Sequence, residues 1–158
     1  MIIPFYFEGR VVGWTGRSVN PDKKPKYLTE VQPGYVYGLD EQGYAKSFAI
    51  LCEGQIDAIH IQGTALGGSE INDQQSMLLN RLQKQIIVCP DRDKAGSKLV
   101  EQAIDLGWSV SMPEWTEDIC DIGEAVERYG RLYTLYSIAN TAEDSPLKIR
   151  LRAKKWFA

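Results

Sequence analysis

Residues 48–68 read FAILCEGQIDAIHIQGTALGG, and their pattern decides the fold. Phe48 to Cys52 is an unbroken apolar run of strand length; it halts at Glu53-Gly54 and gives way to a helical stretch, about 55 to 62, then to a short strand at 64–66. A strand apolar at every position is buried on both faces. That is the signature of a parallel sheet, whose neighbouring strands need crossover helices. The same alternation continues outward. Asn72 is a cap candidate for a helix near 72–82; Ile86–Cys89 reads as a strand, 94–106 as a helix and Trp108–Met112 as a strand. The expectation is an α/β sandwich with a mainly parallel central sheet.

Upstream the pattern changes. Residues 2–7 (IIPFYF) and 10–18 (RVVGWTGRS) are aromatic and β-branched and flank the turn-prone Glu8-Gly9, which predicts a hairpin. After Asn20-Pro21-Asp22, further short strands are expected at Lys26–Leu28 and Tyr35–Tyr37. Downstream, 121–130, 132–140 and 145–157 read as helices, while 18–26 and 141–146 read as mobile loops. The resulting division is a small β-rich module (1–47), the α/β unit (48–130) and a basic helical extension (131–158).

With 158 residues, 44% hydrophobic and 25% charged, the chain suits one ordinary globular domain with small appendages. No apolar run reaches membrane-spanning length, and MIIPFYFEGR lacks the basic lead-in of a secretory signal, so a cytoplasmic protein without a membrane role is expected. Cys52, Cys89 and Cys120 have no zinc-type spacing and read as buried thiols. His60 is the only histidine, which removes mechanisms built on Ser/His or Cys/His pairs. Net charge is −3, but basic residues gather at Arg10, Arg17, Lys23, Lys24 and Lys26 and again over 148–155, leaving the acids to the middle. Such a layout permits an anionic metal site flanked by cationic strips for phosphates.

Ligands of open α/β sheets bind beyond the carboxyl ends of the strands. Glu53 stands at such an end; Gly54 lets the chain turn, and Asp57 projects from the first turn of the following helix. The strand at 86–89 ends in Pro90-Asp91-Arg92-Asp93-Lys94-Ala95-Gly96. In an extended segment Asp91 and Asp93 share a side and Arg92 points away. The paired carboxylates suggest a hard divalent cation, and Mg²⁺ fits a site of one or two carboxylates completed by water and phosphates. A third acidic group, Glu117-Asp118-Ile119-Cys120-Asp121, follows the strand at 108–112. Asp121 reads as a helix cap and Asp118 as a further metal or water-mediated ligand. An EF-hand is excluded, because Ala95 and Gln102 stand where that loop needs side-chain oxygen and glutamate. A haloacid-dehalogenase-like phosphatase carries its Asp-x-Asp after the first strand, not a later one.

Together, Glu53-Gly54-x-x-Asp57, Gly63-Thr64-Ala65-Leu66-Gly67-Gly68 and Asp91-x-Asp93-x-Ala95-Gly96 resemble the Toprim domain, over roughly residues 46–130. That domain is shared by topoisomerases, bacterial primases, OLD-type nucleases and recombination-repair proteins. Ile3-Pro4 through Gly13–Arg17, then Pro25–Leu28, then Val36–Leu39, resemble the end of the amino-terminal half of the polymerase core in DnaG-type primases.

The resemblance implies a Toprim-like sandwich that makes short RNA primers on single-stranded DNA from ribonucleoside triphosphates. It implies Mg²⁺ or Mn²⁺ held by Asp91 and Asp93, with Asp118 assisting and Glu53 as a water-mediated ligand or general base. Arg17 and Lys26 carry over as phosphate contacts; Tyr27, Tyr35 and Trp14 are stacking candidates, and Gly54, Asp57, Gly67, Gly96 and Asp121 support the site. The zinc-module cysteines and most of the amino-terminal half of that family's core have no counterpart here. This suits a phage-type or split primase, with a replicative helicase or separate primase subunit as partner. A metal-dependent Toprim nuclease and a non-catalytic nucleic-acid-binding accessory remain as alternatives.

Overall fold

The computed structural model describes residues 1–20, 22 and 24–158, so the readings made of Pro21 and Lys23 lie outside the described residues. The apolar runs build a parallel sheet as expected. In chain order come β4 (Phe48–Cys52), α1 (Gln55–Ile61), β5 (Thr64–Ala65), α2 (Asp73–Asn80), β6 (Gln85–Val88), α3 (Lys94–Asp105) and β7 (Ser109–Val110). Strand order is β5-β4-β6-β7, all parallel. Ala49–Cys52 and Ile86–Cys89 are buried at every position, because helices cover both sheet faces. The first crossover runs outward from β4 to β5, and the last runs the other way from β6 to β7. With right-handed connections, α1 and α3 therefore lie on opposite faces.

Two expectations change at the sheet's edges. Tyr35–Tyr37 is not a strand: only Tyr37 pairs, exchanging backbone hydrogen bonds of 2.8 and 3.1 Å with Ala65. The 141–146 segment is pinned and not free, since Glu143 exchanges two 2.9 Å bonds with Val110. Each contact satisfies part of an edge that would otherwise be open. The strand expected at 108–112 is shorter than its apolar run, although Ser111 still donates to the Val88 carbonyl at 2.8 Å.

Upstream, β1 (Ile2–Phe7), β2 (Arg10–Arg17) and β3 (Tyr27–Val31) form a separate antiparallel sheet. The Glu8-Gly9 turn has positive φ at both residues, 50° and 74°, as a twisted two-residue hairpin needs. Asp40 holds it, accepting the Glu8 and Gly9 N–H groups at 3.0 and 2.9 Å. Ile3 and Phe5 are buried, with Phe5 stacked 4.9 Å from Tyr35. Register places Ile2, Trp14 and Leu28 on the opposite face, where Ile2 and Leu28 are largely exposed.

Three helices follow β7: α4 (Ile122–Tyr129), which ends the 48–130 unit, then α5 (Arg131–Thr141) and α6 (Pro146–Trp156) in the extension. Proline at the first position of α6 costs no hydrogen bond. Ile149 and Trp156 bury one side of α6, and Arg150 reaches Glu101 of α3 at 2.9 Å. Among the described residues no helix is long and apolar enough to cross a membrane. Cys52 and Cys89 are buried as expected, whereas Cys120 is exposed because its loop lies beyond the sheet.

Candidate functional site

The strand order reverses between β4 and β6, which are hydrogen-bonded neighbours. A crevice at such a reversal is open to ligands because the flanking helices leave in opposite directions. Glu53 follows β4 and Asp91 follows β6, so carboxylates distant in sequence flank that crevice. The backbone makes room for them. A Cβ on Gly96 would collide with the Asp91 carbonyl, so glycine here lets α3 start hard against the loop. Gly67, at φ 70°, donates its N–H to the Glu53 carbonyl at 2.9 Å and secures the other side of the turn. A Cβ on Gly54 would meet the Asp57 carboxylate at 2.6 Å, so this glycine also clears space.

Asp93 has a structural duty the sequence reading did not assign. Its Oδ1 caps α3, accepting the Ala95 and Gly96 N–H groups at 2.8 and 2.9 Å. The side chain is exposed and its second oxygen is uncommitted among the described hydrogen bonds. The alternation expected of an extended 91–93 segment is not found. The Asp93 N–H donates to the Asp91 carbonyl at 2.9 Å, so the chain turns tightly. Asp91 lines the cleft, and Asp93 sits outside it beside Arg92, which donates to the Thr116 and Trp115 carbonyls.

Crowded, partly buried carboxylates hold protons tightly. Burial, followed by the charges of Glu53, Asp57, Asp121 and Asp93, pushes Asp91 up to about 8. Burial and Asp93 push Glu53 up to about 7, against the opposing effect of the Asp91 N–H. Asp57 is raised by burial and then by Asp121, although its Oδ1 accepts the Gly123 N–H at 2.8 Å. Glu53 Oε1 is buried and has no hydrogen-bond partner. An orphaned carboxylate oxygen among mutually repelling carboxylates is a donor set that a hard cation fits. No three acidic, cysteine or histidine side chains among the described residues lie close enough to form a complete metal site. A cation here therefore needs further oxygen ligands from water or phosphate, the habit of Mg²⁺.

A cleft of about 750 Å³ joins these acids to the antiparallel sheet. Glu53, Asp57, Asp91 and Asp121 lie on one side, and Arg17, Lys26 and Tyr27 on the other. Arg17 and Lys26 stand 5.5 and 6.0 Å from the centroid of the Tyr27 ring, a cation–π arrangement.

Other expected site residues are placed differently. Asp118 is exposed and outside the cleft; its pKa is lowered chiefly by a hydrogen bond from Thr116, so it does not join the acidic group. Asp121 takes that third position. It caps α4 through the Glu124 N–H at 2.7 Å while facing the cleft. Trp14 lies on the reverse face of its strand from Arg17 and does not reach the cleft. Tyr35 is packed on Phe5 and donates its hydroxyl to the Tyr6 carbonyl, so it is no stacking platform. The sequence reading missed His60, Glu124 and Glu127 as cleft-lining residues. The spacing of Asp121, Glu124 and Glu127, three apart, was the available signal for one helical face.

Residues 50–121 match the family model described as Toprim-like. The DNA primase of Aquifex aeolicus is 29% identical over 141 residues, covering 78% of this chain and 28% of that protein. The DNA primase of Synechococcus elongatus is 31% identical over 122 residues, covering 66% of this chain and 17% of that protein. The chain thus spans under a third of the length of either relative. The solved Aquifex aeolicus primase, comprising zinc-binding and RNA polymerase domains, superposes with a TM-score of 0.77 at 26% identity, covering 98% of this chain and 43% of that one. Residues 50–121 are therefore Toprim-like in sequence, and the chain around them is similar to DNA primases in both sequence and fold.

Proposed function

We propose that this chain performs primase-type nucleotidyl transfer, extending short RNA on a single-stranded DNA template. The observation that carries the reading is the shared cleft, with strand-end carboxylates on one side and Arg17, Tyr27 and Lys26 on the other. Its walls match the two halves of the substrate pair: metal-bound triphosphate at the acids, and phosphate backbone with stacked base at the cationic and aromatic wall. The similarity to primases supports the same reading.

Asp91 and Asp93 offer the oxygen ligands nearest the end of β6. When bound, a divalent cation supplies charge neutralisation for the triphosphate and the departing pyrophosphate. Glu53 Oε1, with no partner of its own and a pKa of about 7, is poised to accept the proton of an attacking 3′-hydroxyl near neutral pH. Asp57 holds the first turn of α4 through Gly123 and so keeps Asp121 at the cleft. Arg17 and Lys26 bind phosphates, and the Tyr27 ring supports a base. In this reading residues 1–47 form the template wall, 48–130 the cation-binding unit and 131–158 its buttress. A replicative helicase or separate primase subunit is the partner that such a core would serve.

The test is one gel containing single-stranded DNA, four ribonucleotides with one labelled, and Mg²⁺ or Mn²⁺, run for the wild type beside Asp91→Ala. Short labelled RNA from the wild type alone is the expected result. Shortened DNA without RNA would replace the proposal with nuclease action, and no product of either kind would overturn catalysis by this chain alone.

A further inference from the structure

Arg92 separates the two carboxylates of the loop after β6, and its side chain is held from several directions on the side away from the cleft. Its guanidinium carbon lies 3.9 Å over the Trp156 ring centroid. Two of its nitrogens donate to the Thr116 and Trp115 carbonyls at 3.0 and 3.1 Å. Its backbone N–H donates to the Cys120 carbonyl at 2.9 Å. Trp156 is fixed independently of Arg92, because α6 is anchored by buried Ile149 and by the Arg150–Glu101 pair, and Trp115 packs 6.0 Å away.

We propose that Arg92 and Trp156 form a latch through which the C-terminal helix sets the position of Asp91 and Asp93, making Arg92 a positioning residue for the cation-binding loop. The inference rests on reading that loop as a cation site. The Asp93 N–H closes a tight turn onto the Asp91 carbonyl at 2.9 Å with Arg92 at its apex, so anchoring the Arg92 side chain fixes the turn from which Asp91 enters the cleft and Asp93 caps α3. Asp93 transmits the constraint, since it both belongs to the segment and caps α3. The Arg92 Nε is buried without a partner, a cost that an apolar side chain filling the same space would not carry. Stacking together with donation from two nitrogens to two separate carbonyls is what the guanidinium supplies in return, and lysine cannot supply both. Through Trp156, α6 acquires a role beyond surface charge: the end of this helix is the support on which the acidic loop is mounted.

The experiment titrates Mn²⁺ by electron paramagnetic resonance into the full chain and follows hydrogen exchange at the Arg92, Asp93, Ala95 and Gly96 amides. Trp156→Ala and Arg92→Lys are expected to weaken Mn²⁺ binding about tenfold and to speed exchange at those amides, while β4 stays protected. Trp156→Phe, which keeps an aromatic face, should restore both readouts to within about twofold of wild type. Arg150→Ala, which removes one exposed ion pair while buried Ile149 keeps α6 seated, should leave both unchanged. Wild-type affinity and protection in Arg92→Lys and Trp156→Ala would overturn the latch. If Trp156→Ala unfolds the chain, Arg92→Lys alone decides. Absence of Mn²⁺ binding in the wild type would overturn the cation site, and amide protection would then judge the latch.

Discussion

The loops after β6 and β7 look alike in sequence and act differently in space. Each follows a buried strand, carries acidic residues at short spacing and runs into a helix capped by aspartate. After β6, Asp91 turns into the crevice at the point where strand order reverses, and its pKa climbs to about 8. After β7, at the edge of the sheet, Asp118 faces solvent and its pKa falls. A carboxylate at a strand end is therefore not enough. What matters is whether that strand borders the reversal and whether its neighbours force the side chain inward.

The largest contrast is expected in activity. Asp91→Ala should lower metal-dependent RNA synthesis by about a thousandfold or more, the scale lost with an electrostatic centre of catalysis. Asp118→Ala should change it less than about twofold. Equal losses in a labelled-ribonucleotide assay would break the distinction between the two loops.

Stability should separate them in the opposite sense. Asp91 and Glu53 have raised pKa values when folded, so the folded chain keeps protons that the unfolded chain has released. Their contribution is complete below the ordinary carboxylate range, about pH 4, and is lost as pH rises through about 7 and about 8. The metal-free protein should thus melt at progressively lower temperature from pH 5 to 9. Asp91→Asn should recover on the order of 2 kcal/mol at pH 8, allowing for coupling among the acids, and little at pH 4. Asp118→Asn should recover nothing. Thermal melts in chelator across that range decide the matter, and a melting temperature that rises with pH would contradict the electrostatic account.

Asp121 sharpens the comparison because it combines both loops' duties. Asp121→Asn preserves a good cap, so its melting temperature should hold while Mn²⁺ affinity falls a few-fold. Asp121→Ala should lose about 1 kcal/mol of stability as well. If both variants bind Mn²⁺ as tightly as wild type, Asp121 is a cap alone.

The smallest effect is expected across the cleft. Arg17→Ala or Lys26→Ala should each weaken single-stranded DNA binding a few-fold and flatten the slope of log affinity against log salt by about 0.7. An unchanged slope would remove that residue from the phosphate wall.

Local chemistry was legible in the amino-acid sequence wherever a short segment carries its own instruction. Unbroken apolar runs specified buried parallel strands, Glu8-Gly9 specified the hairpin, and Asn72 and Asp121 specified helix starts. The proximity of Glu53 to Asp91 could be anticipated because both follow strands of one parallel sheet. Tertiary structure alone decided that Asp121 faces the cleft and Asp118 does not, that Tyr35 and Trp14 are turned away, and that Arg17, Lys26 and Tyr27 stand opposite the acids. Local periodicity sets which side of its own element a residue occupies. Which elements meet is set by burial summed over the whole chain, and that sum brings residues 17 and 26 to residues 53 and 91 and seats Arg92 on Trp156.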